Sequence, residues 1–326
     1  MMKARCMPAI RAFGQRIFKA RESMILVVFI LFCVLLGVIA PKFLTVRNIT
    51  NVIRQFSMIT IVAVGMTFVI ITGGIDLSVG GIVAFVGVST AWLLVAEHFP
   101  ILLAIPIGIL LGLLIGFVNG LLIVKIGLPP FIATLGMMQV SRGLVLALTK
   151  GYPIQPFPQD FLNIGQGAIW FIPIPILIML AVVIIAHVFL SKTTVGRYIY
   201  YVGSNPVAAN LSGINVKRIL FIVYMLAGLT SGIAAVILVA RLSSAQSSMA
   251  LGWELDAIAA VVIGGASLSG GEGSIFGTLI GAAMMGVIRN ALILLHVSVY
   301  WQNVVIGLVI IAAVAFDRLR QQRQVR

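Results

Sequence analysis

Residues 264–274 read "GGASLSGGEGS". Inside them, Leu268-Ser269-Gly270-Gly271-Glu272 falls one residue short of LSGGQ, the signature that one class of ATPases presents to a bound nucleotide. Taken as that signature, the stretch puts the chain among soluble α/β domains. Taken as a glycine turn, it joins two apolar helices and puts the chain in a membrane. A nucleotide site needs G-x-x-x-x-G-K-[ST], whose backbone N–H groups and lysine hold the phosphates. The chain has no such run. Lys192 is the one Lys followed by Ser or Thr, and Ser191 precedes it where Gly is required. No apolar strand ends in a paired Asp-Glu. The stretch is therefore read as a helix-breaking turn.

Composition agrees. Of 326 residues, 61% are hydrophobic and 9% are charged, against roughly 25% charged in soluble domains. Several runs approach the ~20 apolar residues that cross a bilayer as a helix. Spanning segments must be helical, because lipid offers the backbone no hydrogen bonds. The expected fold is all-α: a polytopic transmembrane bundle of about ten spans, broken at Gly-rich turns. The spans are placed at 24–40, 57–72, 80–96, 101–124, 131–148, 171–190, 219–240, 255–266, 275–295 and 300–316.

The net charge of +14 invites nucleic acid, but its distribution points elsewhere. Basic residues cluster in 1–23, in 191–218 and in 318–326, three short hydrophilic pieces beside spans. That is the positive-inside pattern, and no aromatic interleaving marks a nucleic-acid face. The chain divides into a cytoplasmic basic tail (1–23), a transmembrane domain (24–317) with a cytoplasmic loop at 191–218, and a second basic tail (318–326). Residues 42–56 carry Lys42, Arg47 and Arg54 outside and are expected as an amphipathic interfacial helix capped near Asn48. Residues 149–170, with Pro153, Pro156 and Pro158, are expected as an irregular extracytoplasmic loop. Cys6 and Cys33 make no pair and no metal spacing. His98, His187 and His296 are scattered, and no catalytic set is visible, so neither enzyme activity nor a cofactor or metal is expected.

"GGIDLSVGG" (73–81) and "GGASLSGGE" (264–272) share Gly-Gly-x-x-Leu-Ser-x-Gly, 191 residues apart. Paired glycine interruptions in corresponding hydrophobic segments point towards a substrate path. Close helix packing is the plainer reading. Gly73, Gly74, Gly80, Gly264, Gly265, Gly270 and Gly271 are the expected helix breakers. Ionisable groups inside spans are functional candidates, here Asp76, Arg142, Asp256 and Arg289. Asp76, before Leu77-Ser78, suits a cap on a restarting helix or a role in the path or its gating with Ser78. Glu254 and Asp256 suit a cap or a contact outside. Arg142 and Arg289 snorkel, pair with these acids or touch substrate. Asn119, between Gly116 and Gly120, reads as a helix contact. "ARLSSAQSSMALGW" (240–253) is a plain loop or a lip receiving substrate with Ser243, Ser244 and Gln246.

In the loop, Asn205 is an N-cap, Pro206 the first helical residue, and Val207, Ala208, Ala209, Asn210 and Leu211 continue to Gly213. Such a short helix either covers the bundle or couples it to a separate motor.

These residues carry a resemblance. "TGGIDLSVGG" (72–81), "PPFIATLGMM" (129–138), "VGRYIYYVGSNPVAANLSGINV" (195–216), "ARLSSAQ" (240–246) and "GWELDAIAAVVIGGASLSGGEGS" (252–274) resemble the permease subunits of bacterial ribose-type sugar ABC importers. The third and fifth are long and specific, and the likeness covers nearly the whole chain. Within the group it looks closest to D-allose permeases, with those for ribose and other pentoses or hexoses behind. The resemblance implies multi-pass insertion in the bacterial inner membrane, a cytoplasmic ABC ATPase, a periplasmic sugar-binding protein and a second permease copy, with membrane lipid around them. It gives 205–213 to coupling. Ser248-Met249-Ala250 departs from the pattern, being bulkier than expected at the lip. The other class is a free-standing carrier or channel. A proton-coupled carrier wants several buried carboxylates, and the chain has only eight Asp and Glu in all.

Overall fold

The computed structural model describes residues 6–325, with side chains described for 23–315 and 317–319. The side chains of Cys6 and of most of both basic tails lie outside the described residues. Among the described residues thirteen helices account for nearly all regular structure: α1 Cys6–Ile39, α2 Val46–Ile71, α3 Val79–Val95, α4 Ile101–Leu121, α5 Pro130–Thr149, α6 Gln159–Gln166, α7 Ile174–Lys192, α8 Thr194–Ser204, α9 Pro206–Leu211, α10 Val216–Leu242, α11 Trp253–Ile263, α12 Ile275–Leu294 and α13 Val299–Val325. Among the described residues seven helices are long and apolar enough to cross a membrane: α2, α4 with its wide final turn, α5, α7, α10, α12 and α13. Each of the ten expected spans falls on a helix, but the runs in α1, α3 and α11 are shorter than those seven.

The central element is α2. Every residue from Ser57 to Ile71 is buried, and α7, α10, α11 and α12 pack around it. At ~1.5 Å per residue its 26 residues reach ~39 Å, enough for a ~30 Å hydrocarbon core. By contrast α1, α5 and α13 leave Leu31, Val38, Ile132, Leu144, Leu308 and Ile311 exposed, as a lipid-facing or partner-facing ring requires.

Backbones meet where glycine allows it. On α4 and α10, a Cβ at Gly112 would lie 2.7 Å from Gly228 O, and one at Gly116 would strike Tyr224 O. Small residues thus replace side-chain interdigitation, the packing favoured where lipid removes the hydrophobic drive between helices. Gly264 and Gly277, and Gly281 and Ala260, bring α11 and α12 together in the same way.

Two expected pieces fold differently. Residues 42–56 are no separate interfacial helix: Pro41–Leu44 make a 3-10 turn, and α2 then runs unbroken from Val46. Thr45, not Asn48, is the cap, its hydroxyl accepting the Asn48 N–H. Asn48 instead bonds Phe43 O and Asn290 Oδ1. Charge at Arg47 and Arg54 mimicked an amphipathic piece, but no breaker separates residue 56 from 57. Residues 149–170 are irregular only up to Pro158. Pro158 precedes α6, and β1 (Ala168–Ile169) pairs antiparallel with β2 (Ile172–Pro173).

Candidate functional site

Both glycine turns end a helix by the same device. Gly73 N–H bonds Ile70 O and Gly74 N–H bonds Val69 O; Gly265 N–H bonds Val262 O and Ala266 N–H bonds Val261 O. Gly73 (φ 79°) and Gly265 (φ 91°) occupy the left-handed position this cap demands. The structural match therefore pairs Gly73 with Gly265, one residue off the sequence match, which pairs it with Gly264. Gly80 is no breaker: it lies inside α3. Its missing side chain makes room for Glu254 Oε2 and for Ala250 O, where a Cβ would stand 2.8 Å away.

The two turns meet. Gly271 N–H donates to Ile71 O at 2.8 Å. A Cβ on Gly270 would lie 3.0 Å from Gly73 N and 2.7 Å from Gly203 O. Gly203, near the end of α8, is itself pressed on Ile71 O and Gly271 N. Tyr200 on α8 donates its hydroxyl to Gly273 O at 2.7 Å. Three chain segments thus share one joint of bare backbone, and α8 leads directly from it into α9.

Helix α9 forms as its residues dictate. Asn205 accepts the Ala208 N–H at 2.9 Å, Pro206 opens the helix, and Gly213 (φ 82°) closes it while Ile214 N–H bonds Ala209 O. Val207 and Leu211 are 68% and 84% exposed, whereas Ala209 is buried against its own chain. Concavities of about 450 and 680 Å³ flank the helix, one between α8 and α9 and the other towards Asn215–Lys217. Two exposed apolar side chains thus stand on α9 between two hollows.

Asp76 sits fully buried in the first turn. Its Oδ1 accepts both the Ser78 N–H (2.8 Å) and the Ser78 hydroxyl (2.5 Å), just before α3 starts. Asn119 on α4 donates to Ser78 Oγ at 2.8 Å, and Thr134 on α5 accepts the Leu77 N–H. Asn119 is thus more than a helix contact; its neighbours Gly116 and Gly120 serve the packing. Among the described residues Asp76 Oδ2, Asn119 Oδ1 and the Tyr224 hydroxyl are buried without a partner.

The opposite end of the bundle holds the other candidates. Asp256 does not cap α11, whose N-cap is Gly252 without a side-chain bond. Both its oxygens accept from Arg289 Nη2 at 2.6 Å. Arg142 spends its guanidinium on Met249 O (2.6 Å) and Ala250 O (2.9 Å), clamping the 247–250 backbone to α5. Ser243 accepts from Gln166 at 2.7 Å, Ala245 bridges Ile154, and Gln246 Nε2 reaches Ser244 at 3.5 Å. Met249 is not in the mouth: it is buried, with its methyl against the space left by Gly87. Beneath this segment lies a cavity of about 200 Å³ lined by Gln55, Arg241, Trp253, Asp256 and Arg289, with Met58 and other apolar side chains. The sequence marked Asp256 and Arg289 but not Gln55 or Arg241, which α2 and α10 bring from far along the chain, nor Trp253, an uncharged neighbour of Asp256 on α11.

A family profile described as "Branched-chain amino acid transport system / permease component" matches residues 48–314. The ribose import permease protein of Bacillus subtilis (strain 168) is 49% identical over 287 residues, 87% of this chain and 89% of that one. The D-allose transport system permease protein of Escherichia coli (strain K12) is 39% identical over 284 residues, 87% of each chain. The L-arabinose ABC transporter permease protein of Azospirillum brasilense is 37% identical over 303 residues, 93% of this chain and 89% of that one. The order expected within the group is reversed, the ribose relative standing nearer than the allose one. No solved structure matches the chain.

Proposed function

The chain belongs to the permease-component family of the branched-chain amino acid transport systems, among its ribose-type sugar permeases, and from that premise we propose that it passes a pentose, D-ribose first, across the inner membrane. It is a multi-pass membrane subunit of an ABC sugar importer, not an enzyme. The importer implies a separate ATPase and a periplasmic sugar-binding protein. Identity of 49% with a ribose permease, against 39% with an allose permease, supports ribose. D-allose and L-arabinose are the next substrates to test.

In this reading 191–218 and both termini face the cytoplasm, supported by their basic residues. Residues Asn205–Gly213 receive the ATPase. The observation that carries the assignment is the joint of Gly203, Gly270 and Gly73 behind α9. A push on α9 is passed by α8, without compliant side chains between, to the ends of α2 and α11. Sugar enters at the other end, past Ser243, Ser244 and Gln246, beside Glu254 and Asp256. Asp76 and Ser78 hold the start of α3 where the path narrows. A second copy of the chain completes the path, its contact made through exposed faces such as that of α5, with membrane lipid around the rest.

The test is co-purification of the partner ATPase together with uptake of labelled D-ribose. Leu211→Asp is expected to abolish both while the permease stays in the membrane. Normal assembly and uptake in that variant would move the coupling surface elsewhere.

A further inference from the structure

We propose that the cavity under residues 240–253 is a monosaccharide site of the permease itself, a stop for the sugar after it leaves the binding protein. The proposal rests on the reading of the chain as a sugar permease and gives that path a defined place. Its walls bring together what a sugar ring requires. Trp253 offers an indole, an apolar plate with one N–H, suited to a ring's C–H face. Asp256 and Arg289 offer a fixed acceptor and a fixed donor, since each Asp256 oxygen keeps a second lone pair after binding Arg289. Gln55 offers both an acceptor and donors on one amide. Among the described residues neither Gln55 nor Arg241 spends its side chain on a hydrogen bond within the chain, and Arg289 Nε is buried without a partner. Polar groups left unspent in a half-closed cavity are expensive unless water or a ligand meets them.

Size sets the class of ligand. About 200 Å³, against the ~30 Å³ that each water occupies in the liquid, is room for one small polyol. The charges decide less. One carboxylate offsets one guanidinium and leaves Arg241 positive, so a sugar acid is the rival ligand. Position makes the site useful. Gln55 and Met58 stand roughly 20 Å up α2 from Ile71. Helix α11 runs along most of that interval, with Trp253 and Asp256 at its start and Gly264 at its end packed on Gly277 of α12, and the turn that follows carries Gly270 and Gly271 into the glycine joint. Movement of that joint shifts α11 and so reshapes the cavity.

The experiment keeps Trp253 as the sole tryptophan (Trp92, Trp170 and Trp301→Phe) in the full chain in lipid nanodiscs. Its fluorescence is titrated with D-ribose, D-allose, L-arabinose and D-glucuronate. A saturable response to a neutral monosaccharide is expected, weakened about tenfold by Gln55→Ala, the size that losing one hydrogen bond gives. In the assembled importer, with Trp92, Trp170 and Trp301 left in place, Trp253→Leu and Gln55→Ala are expected to lower maximal uptake with ATPase and binding protein still attached. A response to glucuronate alone overturns the neutral-sugar assignment. Silent fluorescence with normal uptake in both variants overturns the site while leaving the parent reading intact. No uptake of any monosaccharide by the unaltered importer overturns both.

Discussion

At Asp76 a carboxylate is held in the middle of an apolar bundle by one serine. Oδ1 takes two hydrogen bonds from Ser78, and Ser78 in turn accepts from Asn119. An amide oxygen can replace that acceptor; an alkyl side chain cannot. Asp76→Asn is therefore expected to keep most uptake and normal abundance. Asp76→Leu leaves the buried Ser78 N–H and hydroxyl unmet, at ~1–3 kcal/mol each, and is expected to lower the amount of permease in the membrane. Quantifying both variants by immunoblot and uptake checks this. Full loss of uptake with normal abundance in Asp76→Asn would instead mean that the charge itself is used. The sequence makes Asp76 conspicuous because a carboxylate in such surroundings is rare. It could not show Asn119 or Tyr224 beside it, since α4 and α10 bring them from 43 and 148 residues away. Gly80 was misread for a related reason. A glycine that frees a φ angle and a glycine that frees space look alike in sequence.

Among the elements, α9 was legible almost residue by residue, because helix caps are local. Asn205-Pro206 and Gly213 carry their whole meaning within one turn of chain. The joint behind it was not legible, because Ile71, Gly203 and Gly271 are joined by folding alone. That joint gives a sharp expectation. Gly203→Ala puts a methyl into Ile71 O, where backbone cannot yield as a flexible side chain would. Overpacking of this kind costs about 1–3 kcal/mol. The variant is expected to bind the ATPase, whose surface it does not touch, but to hydrolyse ATP without moving sugar. The ratio of ATP hydrolysed to sugar imported measures this directly, and an unchanged ratio would remove the joint from the coupling path. On α9 the two alanines should differ. Ala208→Trp enlarges the outer surface and should detach the ATPase. Ala209→Trp fills a buried position and should reduce folding of the permease itself. Thermal unfolding in detergent separates the two.

The whole molecule places its sugar-sized cavity near one end and its glycine joint at the other, with α2 and α11 running between. The apolar composition made the bundle legible, and its two broken helices were marked by their glycines. Charge misled at 42–56, where arginines in the first turns of a long buried helix imitated a surface piece. Proline misled at 149–170, where it starts a helix as readily as it ends one. The sequence lacks a phosphate loop, so the purified chain is expected to hydrolyse no ATP and to bind no nucleotide at micromolar concentration. That sugar moves through this bundle only when a separate ATPase drives it is the expectation on which the rest depends. Its most direct test is uptake of labelled D-ribose into proteoliposomes holding this chain and its partner ATPase, with the binding protein outside. Accumulation that needs both partners and enclosed ATP, and that persists when ion gradients are collapsed, is expected. Accumulation by the chain alone, driven by a proton or sodium gradient, would contradict it.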